Sequence, residues 1–218
     1  MPTLQTIVTN QTELDALVER LAGATAIGLD TEFLRERTYR AQLCLLQIAD
    51  AKGPVCVDPL ALPQLATLAA LLGTAGPPKV MHASRQDIEV LMPAVGVVAP
   101  VFDTQIAAAL AGFPAQVGYA ELVRRILGHE LSKAHTRTDW STRPLAAEQI
   151  AYALDDVRHL LALRGTRRMI SRSGPSSRIQ PRGRLRSMAR RSRHAASSRA
   201  RRSRAGSRLR RPRRRSHA

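Results

Sequence analysis

Ala26-Ile27-Gly28-Leu29-Asp30-Thr31-Glu32-Phe33 decides how this chain is read: a short apolar run closes by presenting two carboxylates one residue apart. In a β-strand, side chains alternate between faces, so Asp30 and Glu32 point the same way. Two anions in one small volume raise the free energy unless a cation neutralises them or one of them keeps a proton. A hard divalent metal with oxygen ligands is the simplest answer. A D-x-E standing alone more often just ends a strand at a wet turn, because short motifs match by chance. The question is therefore whether other acidic residues reach the same spot.

Working outward, the apolar positions Leu14, Leu17, Val18 and Leu21 recur at helical spacing, with Thr12 placed to cap the helix. After the quoted strand, Arg35, Glu36, Arg37 and Arg40 make a charged connection. Residues 43–49 and 54–58 read as two further strands, and Asp-Ala-Lys-Gly at 50–53 reads as the hairpin loop between them. Residues 62–72 read as a helix ended by Gly73, and 79–83 as a short strand. Ser84 is placed to cap a helix over 86–91 that Pro93 stops. A short strand at 97–102, helices at 103–110 and 119–127, and a last helix over 146–163 complete the pattern. A block of strands followed by alternation with helices implies an α/β fold with a mixed sheet.

Charge divides the chain. Of its 34 Lys and Arg, 21 lie in residues 164–218, all of them Arg, and that segment carries no Asp or Glu. The remainder holds 13 basic against 17 acidic residues, so the formal net charge of +17 belongs to the tail and says nothing of the part that folds. We expect a folded domain at 1–165 and a disordered Arg/Ser-rich tail at 166–218, which has too few apolar residues to build a core. Cys44 and Cys56 sit in apolar runs without metal-ligand spacing, as in a reduced, cytoplasmic protein. No apolar run is long enough to span a membrane, and the N-terminus lacks the pattern of a secretory leader.

Two further groups compete for the metal. Asp87 opens a helix that leaves a strand, where α/β sheets assemble sites, although a carboxylate there also suits the helix dipole. Tyr152 and Asp156 are four apart on the last helix and project from one face. Each is weak by itself. Their order is informative: D-x-E at a strand end, an Asp opening a helix after the fourth strand, then Y-x-x-x-D late in the chain.

In GLDTEF at 28–33, VMHASRQDIEVL at 80–91 and YALDDV at 152–157, the chain resembles the DEDD exonucleases of the tyrosine subclass. YRAQLCLLQIAD, VFDTQIAAAL and LSKAHTRTDWSTRPL between them resemble the ribonuclease D family in particular. The resemblance covers roughly residues 5–163. It implies a ribonuclease H-like fold with a five-stranded mixed sheet, and 3′→5′ exonuclease activity that releases nucleoside 5′-monophosphates. It implies two Mg²⁺ or Mn²⁺ ions: Asp30 bridging both, Glu32 and Asp156 completing the water-activating site, Asp87 supporting the second, and Tyr152 orienting the attacking water. The implied substrates are RNA 3′ ends such as tRNA precursors.

Phe33 is placed to stack on a terminal base or to join the core, and His82 to touch a phosphate or to serve structure. Trp140, with Arg137, Asp139 and Arg143 around it, is expected to anchor the loop before the last helix. His129 and His135 are given no function. The Arg-rich tail departs from the family, in which helical accessory domains would follow. It reads either as a nonspecific RNA tether or as the product of a shifted reading frame in GC-rich DNA. Two other functions stay open: a DNA-directed 3′→5′ exonuclease, and an inactive nucleic-acid-binding remnant.

Overall fold

The computed structural model describes residues 7–35, 41–131 and 138–166. The expectations for the Arg-rich tail, and for Glu36, Arg37, Arg40, His135 and Arg137, lie outside them. In chain order the elements are β1 (Ile7–Val8), α1 (Gln11–Ala22), β2 (Ile27–Leu34), β3 (Gln42–Asp50), β4 (Gly53–Val57), α2 (Leu68–Leu72), β5 (Lys79–Met81), α3 (Arg85–Val95), β6 (Val101–Asp103), α4 (Thr104–Leu110), α5 (Tyr119–Leu127), α6 (Ala147–Arg158) and α7 (Leu160–Gly165). Among the described residues no helix is long and apolar enough to cross a membrane.

The sheet is mixed, as expected, but it has six strands in the order β1-β4-β3-β2-β5-β6 rather than five. β2, β3 and β4 form an antiparallel meander, while β5 and β6 run parallel to β2. The added strand is two residues of β1 laid parallel to β4, with Ile7 opposite Cys56. So short a strand leaves no alternation to read.

Strict alternation along β2 separates two cores. Ile27 and Leu29 join Leu46 and Ile48 of β3 on one face, which is covered by Leu14, Leu17 and Leu21 of α1, by α2 and by Leu91 and Val95 of α3. Each such side chain, once fully buried, contributes about 1.5–3 kcal/mol. On the other face Leu45, Cys56, Ala49 and Val80 lie under α6 and α7 through Ala153, Leu154, Val157 and Leu160. At Gly28 an added Cβ would stand 3.2 Å from the Val157 carbonyl oxygen and 3.4 Å from Leu160 Cβ. The missing side chain is what lets this helical layer sit close to β2.

Several element ends differ from the sequence reading. Asn10, not Thr12, caps α1 by accepting from the Glu13 N–H. α2 begins only at Leu68, and α3 runs through Pro93 to Val95. Pro93 is exposed, so the carbonyl it leaves unbonded within the helix faces water. Ser84 makes no capping bond to α3: its backbone is helical where a cap is extended, and its hydroxyl and N–H are turned to donate to the Asp103 carboxylate. Asp103 in turn caps α4. The expected last helix is broken at His159 into α6 and α7.

Trp140 is buried against Leu154 and Ala153, as expected. Its loop is fastened by Arg143, whose guanidinium reaches four residues. Nε and Nη2 grip the Asp58 carboxylate at 2.6 and 2.7 Å, Nη2 also reaches the Cys44 carbonyl, and Nη1 reaches those of Trp140 and Thr142. Burial alone would raise the Asp58 pKa, but these bonds hold it below the ordinary carboxylate range. Arg143→Met strands a buried carboxylate, and its expected cost is about 3–5 kcal/mol. Urea unfolding with an unchanged slope checks this; a loss under about 1 kcal/mol would reduce the pair to an ordinary surface bridge.

Candidate active site

Asp30 and Glu32 share the β2 face that α6 covers, and across the ladder they stand opposite Gln47 and Leu45 of β3. Thr31, between them, points to the other face, and its hydroxyl donates to Asp87 Oδ1 at 2.6 Å. That bond draws the first turn of α3 against β2, so a carboxylate from the α3 layer meets the pair on the strand. α6 brings Tyr152 and Asp156 from the opposite layer, one turn apart, with the Tyr152 hydroxyl hydrogen-bonded to the Asp156 carboxylate. Four acids from three elements thus converge on the second half of β2. The strand continues to Leu34, so the D-x-E pair stands within it and not, as expected, at its end.

Their mutual effect is electrostatic frustration. Burial, then the charges of Asp87, Asp156 and Glu32, hold the Asp30 pKa well above the carboxylate range. Burial, then Asp156 and Asp87, push Glu32 up to about 8. Burial pushes Asp156 up to about 7, against the opposing hydrogen bond from Tyr152. Asp87 is raised by burial too, against the Thr31 hydroxyl, which bonds to its ionised form. Burial, followed by Asp156 and Glu32, raises Tyr152, so its phenol stays protonated at neutral pH.

A divalent cation fits this donor set. All four side chains are hard oxygen donors, and among the described residues none of them is ion-paired to a Lys or Arg. Gln47, fully buried beside Asp30, has no hydrogen-bond partner for either carboxamide atom. Buried polar groups are rarely left so, and a hydrated ion is one way to satisfy it. Among the described residues, however, no three His, Cys, Asp or Glu side chains stand close enough to hold a metal as they lie. Coordination at about 2.0–2.1 Å, as magnesium demands, therefore needs their rotamers to close.

His82 is drawn into the fold rather than toward a substrate. Its Nδ1 meets Thr104 Oγ1 at 2.9 Å and its Nε2 meets the Val117 carbonyl at 3.0 Å, which leaves no ring nitrogen for a phosphate. Burial lowers its pKa. Phe33, by contrast, is half-exposed and belongs to neither core, next to a register slip that sets Glu32 against Leu45 but Phe33 against Leu43. The Arg35 guanidinium lies 5.9 Å from its ring centroid. Sequence reading missed Thr31 and Tyr119, whose side-chain hydrogen bonds are all long-range; Thr31 was visible only as a polar residue inside GLDTEF.

The family model for 3′-5′ exonucleases matches residues 5–166. Ribonuclease D of Gluconacetobacter diazotrophicus is 47% identical over 156 residues, which are 71% of this chain and 40% of that protein. The crystal structure of Escherichia coli RNase D, described as an exoribonuclease involved in structured RNA processing, superposes with a TM-score of 0.73 at 36% identity, covering 78% of this chain and 45% of that one. Brucella melitensis NrnC, solved with bound Mg²⁺, gives 0.64 at 27% identity over 77% of this chain and 80% of its own. The chain thus spans less than half the length of the ribonucleases D it matches.

Proposed function

Because this chain belongs to the 3′-5′ exonuclease family and aligns within it with ribonuclease D, we propose that it is a metal-dependent exoribonuclease that removes nucleoside 5′-monophosphates from RNA 3′ ends. The observation that supports this most is the convergence of Asp30, Glu32, Asp87 and Asp156, from both layers, on one stretch of β2. Two Mg²⁺ or Mn²⁺ ions held by these four would supply charge for the transition state and a water acidified toward neutral pH. Asp30, which feels the charges of the other three, is central. Tyr152 keeps its proton and orients the attacking water by hydrogen bonding rather than acting as a base. Phe33, half-exposed beyond Glu32, offers a face on which the terminal base stacks without regard to sequence. Structured RNAs such as tRNA precursors are the expected substrates, and arginines of the 166–218 tail would add salt-sensitive phosphate contacts.

The direct test is a 3′-labelled RNA and its DNA counterpart, each with Mg²⁺ and then with chelator. Labelled 5′-monophosphate from RNA alone, lost with chelator, is the expected result. Faster release from DNA would make the enzyme DNA-directed, and equal release would make it indifferent to the sugar. Retention of RNA without cleavage would make it a binding remnant.

Gly28→Val tests the close approach of α6. The added side chain drives against Val157 and Leu160 and moves Asp156 with them. Overpacking is expected to cost about 1–3 kcal/mol, and misplacement of the carboxylate about 10²-fold in turnover. Unfolding curves and initial rates measure the two separately; unchanged turnover in a folded variant would show that α6 yields without disturbing the site.

A further inference from the structure

In a continuous helix the His159 N–H would bond to the Asp155 carbonyl, four residues back. Here the Tyr119 hydroxyl lies between them: it accepts from the His159 N–H at 3.1 Å and donates to the Asp155 carbonyl at 3.2 Å. A side chain inserted into the ladder is an established cause of helix interruption, and α6 ends and α7 begins at this point. Asp156 directly follows the carbonyl that Tyr119 holds.

Tyr119 is itself fixed from the other side of the site. It opens α5, two residues after Val117, whose carbonyl is held by His82 Nε2 and by Gln105 Nε2. Its ring packs on that of His82 with centroids 5.7 Å apart. His82 directly follows β5, five residues before Asp87. A line of contacts therefore runs from the segment bearing Asp87, through His82 and Tyr119, to the turn bearing Asp156. Burial and the nearby Asp156 and Asp30 raise the phenol pKa, so the proton it gives to Asp155 stays in place.

We infer that Tyr119 is a positioning residue for the metal-binding carboxylates: by wedging open the backbone between Asp155 and His159, it sets where Asp156 stands relative to Asp30 and Asp87. The inference rests on the metal-dependent reading above. Tyr119→Phe removes one oxygen and keeps the ring, so the helix can re-form its own bond and carry Asp156 out of place.

The test is Mn²⁺ binding to the full chain, read from the loss of the free-ion electron paramagnetic resonance signal without RNA. Wild type, Tyr119→Phe and Val123→Ala are compared, the last loosening α5 at a fully buried position that lacks the hydroxyl. Groups that support metal ligands from behind typically matter about 10–100-fold in affinity, and about tenfold weaker binding is expected for Tyr119→Phe alone. Binding equal to wild type would overturn the inference, as would equal weakening in both variants. A Tyr119→Phe chain without a cooperative unfolding transition would overturn it too, since that hydroxyl would then hold the fold rather than the site. Wild-type protein that takes up no Mn²⁺ would instead remove the metal-dependent reading on which the inference stands.

Discussion

Asp30→Asn is expected to lower RNA hydrolysis by at least about 10³-fold and, without metal, to make the domain more stable at pH 8. The two effects share one cause. Asp30 is the carboxylate on which the other three charges act, and it is half-buried. Asn keeps its shape and removes its charge, so in metal-free protein the variant relieves repulsion that folding otherwise has to overcome. The same charge is what would hold the cations, whose contribution to a phosphoryl-transfer barrier is several kcal/mol, with each step of about 1.4 kcal/mol a factor of ten. Salt-sensitive RNA binding should survive, because it depends on phosphate contacts elsewhere. Initial rates, filter binding across a salt series and thermal unfolding measure the three outcomes. Wild-type turnover in the variant would reject the assignment of Asp30; a lower metal-free unfolding temperature would reject the account of its charge.

What could be read from the chain follows from the range of the interactions involved. Period-two alternation gave Asp30 and Glu32 one face, and helical spacing gave Tyr152 and Asp156 another, because both patterns arise within a few residues. That Asp87 would come near them needed the family resemblance, since the Thr31 hydroxyl that helps to draw it in lies 56 residues away along the chain. The break at His159 was hidden for a related reason. Leu154, Val157, Leu160 and Leu161 keep a helical rhythm across it, and the interruption comes from Tyr119, 40 residues earlier. Local propensity also misassigned Ser84: a residue suited to accept from the helix N–H groups is turned instead to donate to Asp103, on a neighbouring strand. His82 looked available for substrate because nothing near it in sequence announces Thr104 and Val117 as its partners.

Magnesium should raise the unfolding temperature hardly at all at pH 5 and by on the order of 10 °C at pH 8.5. Asp156 and Glu32 titrate near 7 and near 8 in the folded chain, well above their ordinary values. Folding therefore favours their protonated forms. The stability they contribute is complete below their unfolded pKa values and is lost as pH rises through about 7 and about 8. Every tenfold by which folding tightens the hold of a carboxyl on its proton is worth about 1.4 kcal/mol, or roughly 2–4 °C per kcal/mol for a domain of this size. A cation that neutralises the cluster restores what has been lost, and restores most where most was lost. Other groups titrate as well: His82 and His159, lowered by burial, gain stability as pH rises toward about 6.5, and the buried thiol of Cys56, pushed up to about 12, loses it in alkali. Neither histidine shift has a cause among the four acids, and the Cys56 thiol, which does feel Glu32, ionises only above this pH range, so the difference between the two unfolding curves reports the carboxylates. Asp156→Asn should shrink that difference at pH 8.5. A magnesium effect of the same size at both pH values would mean that the acids around β2 are already ionised and separate, and that no cation is needed to bring them together.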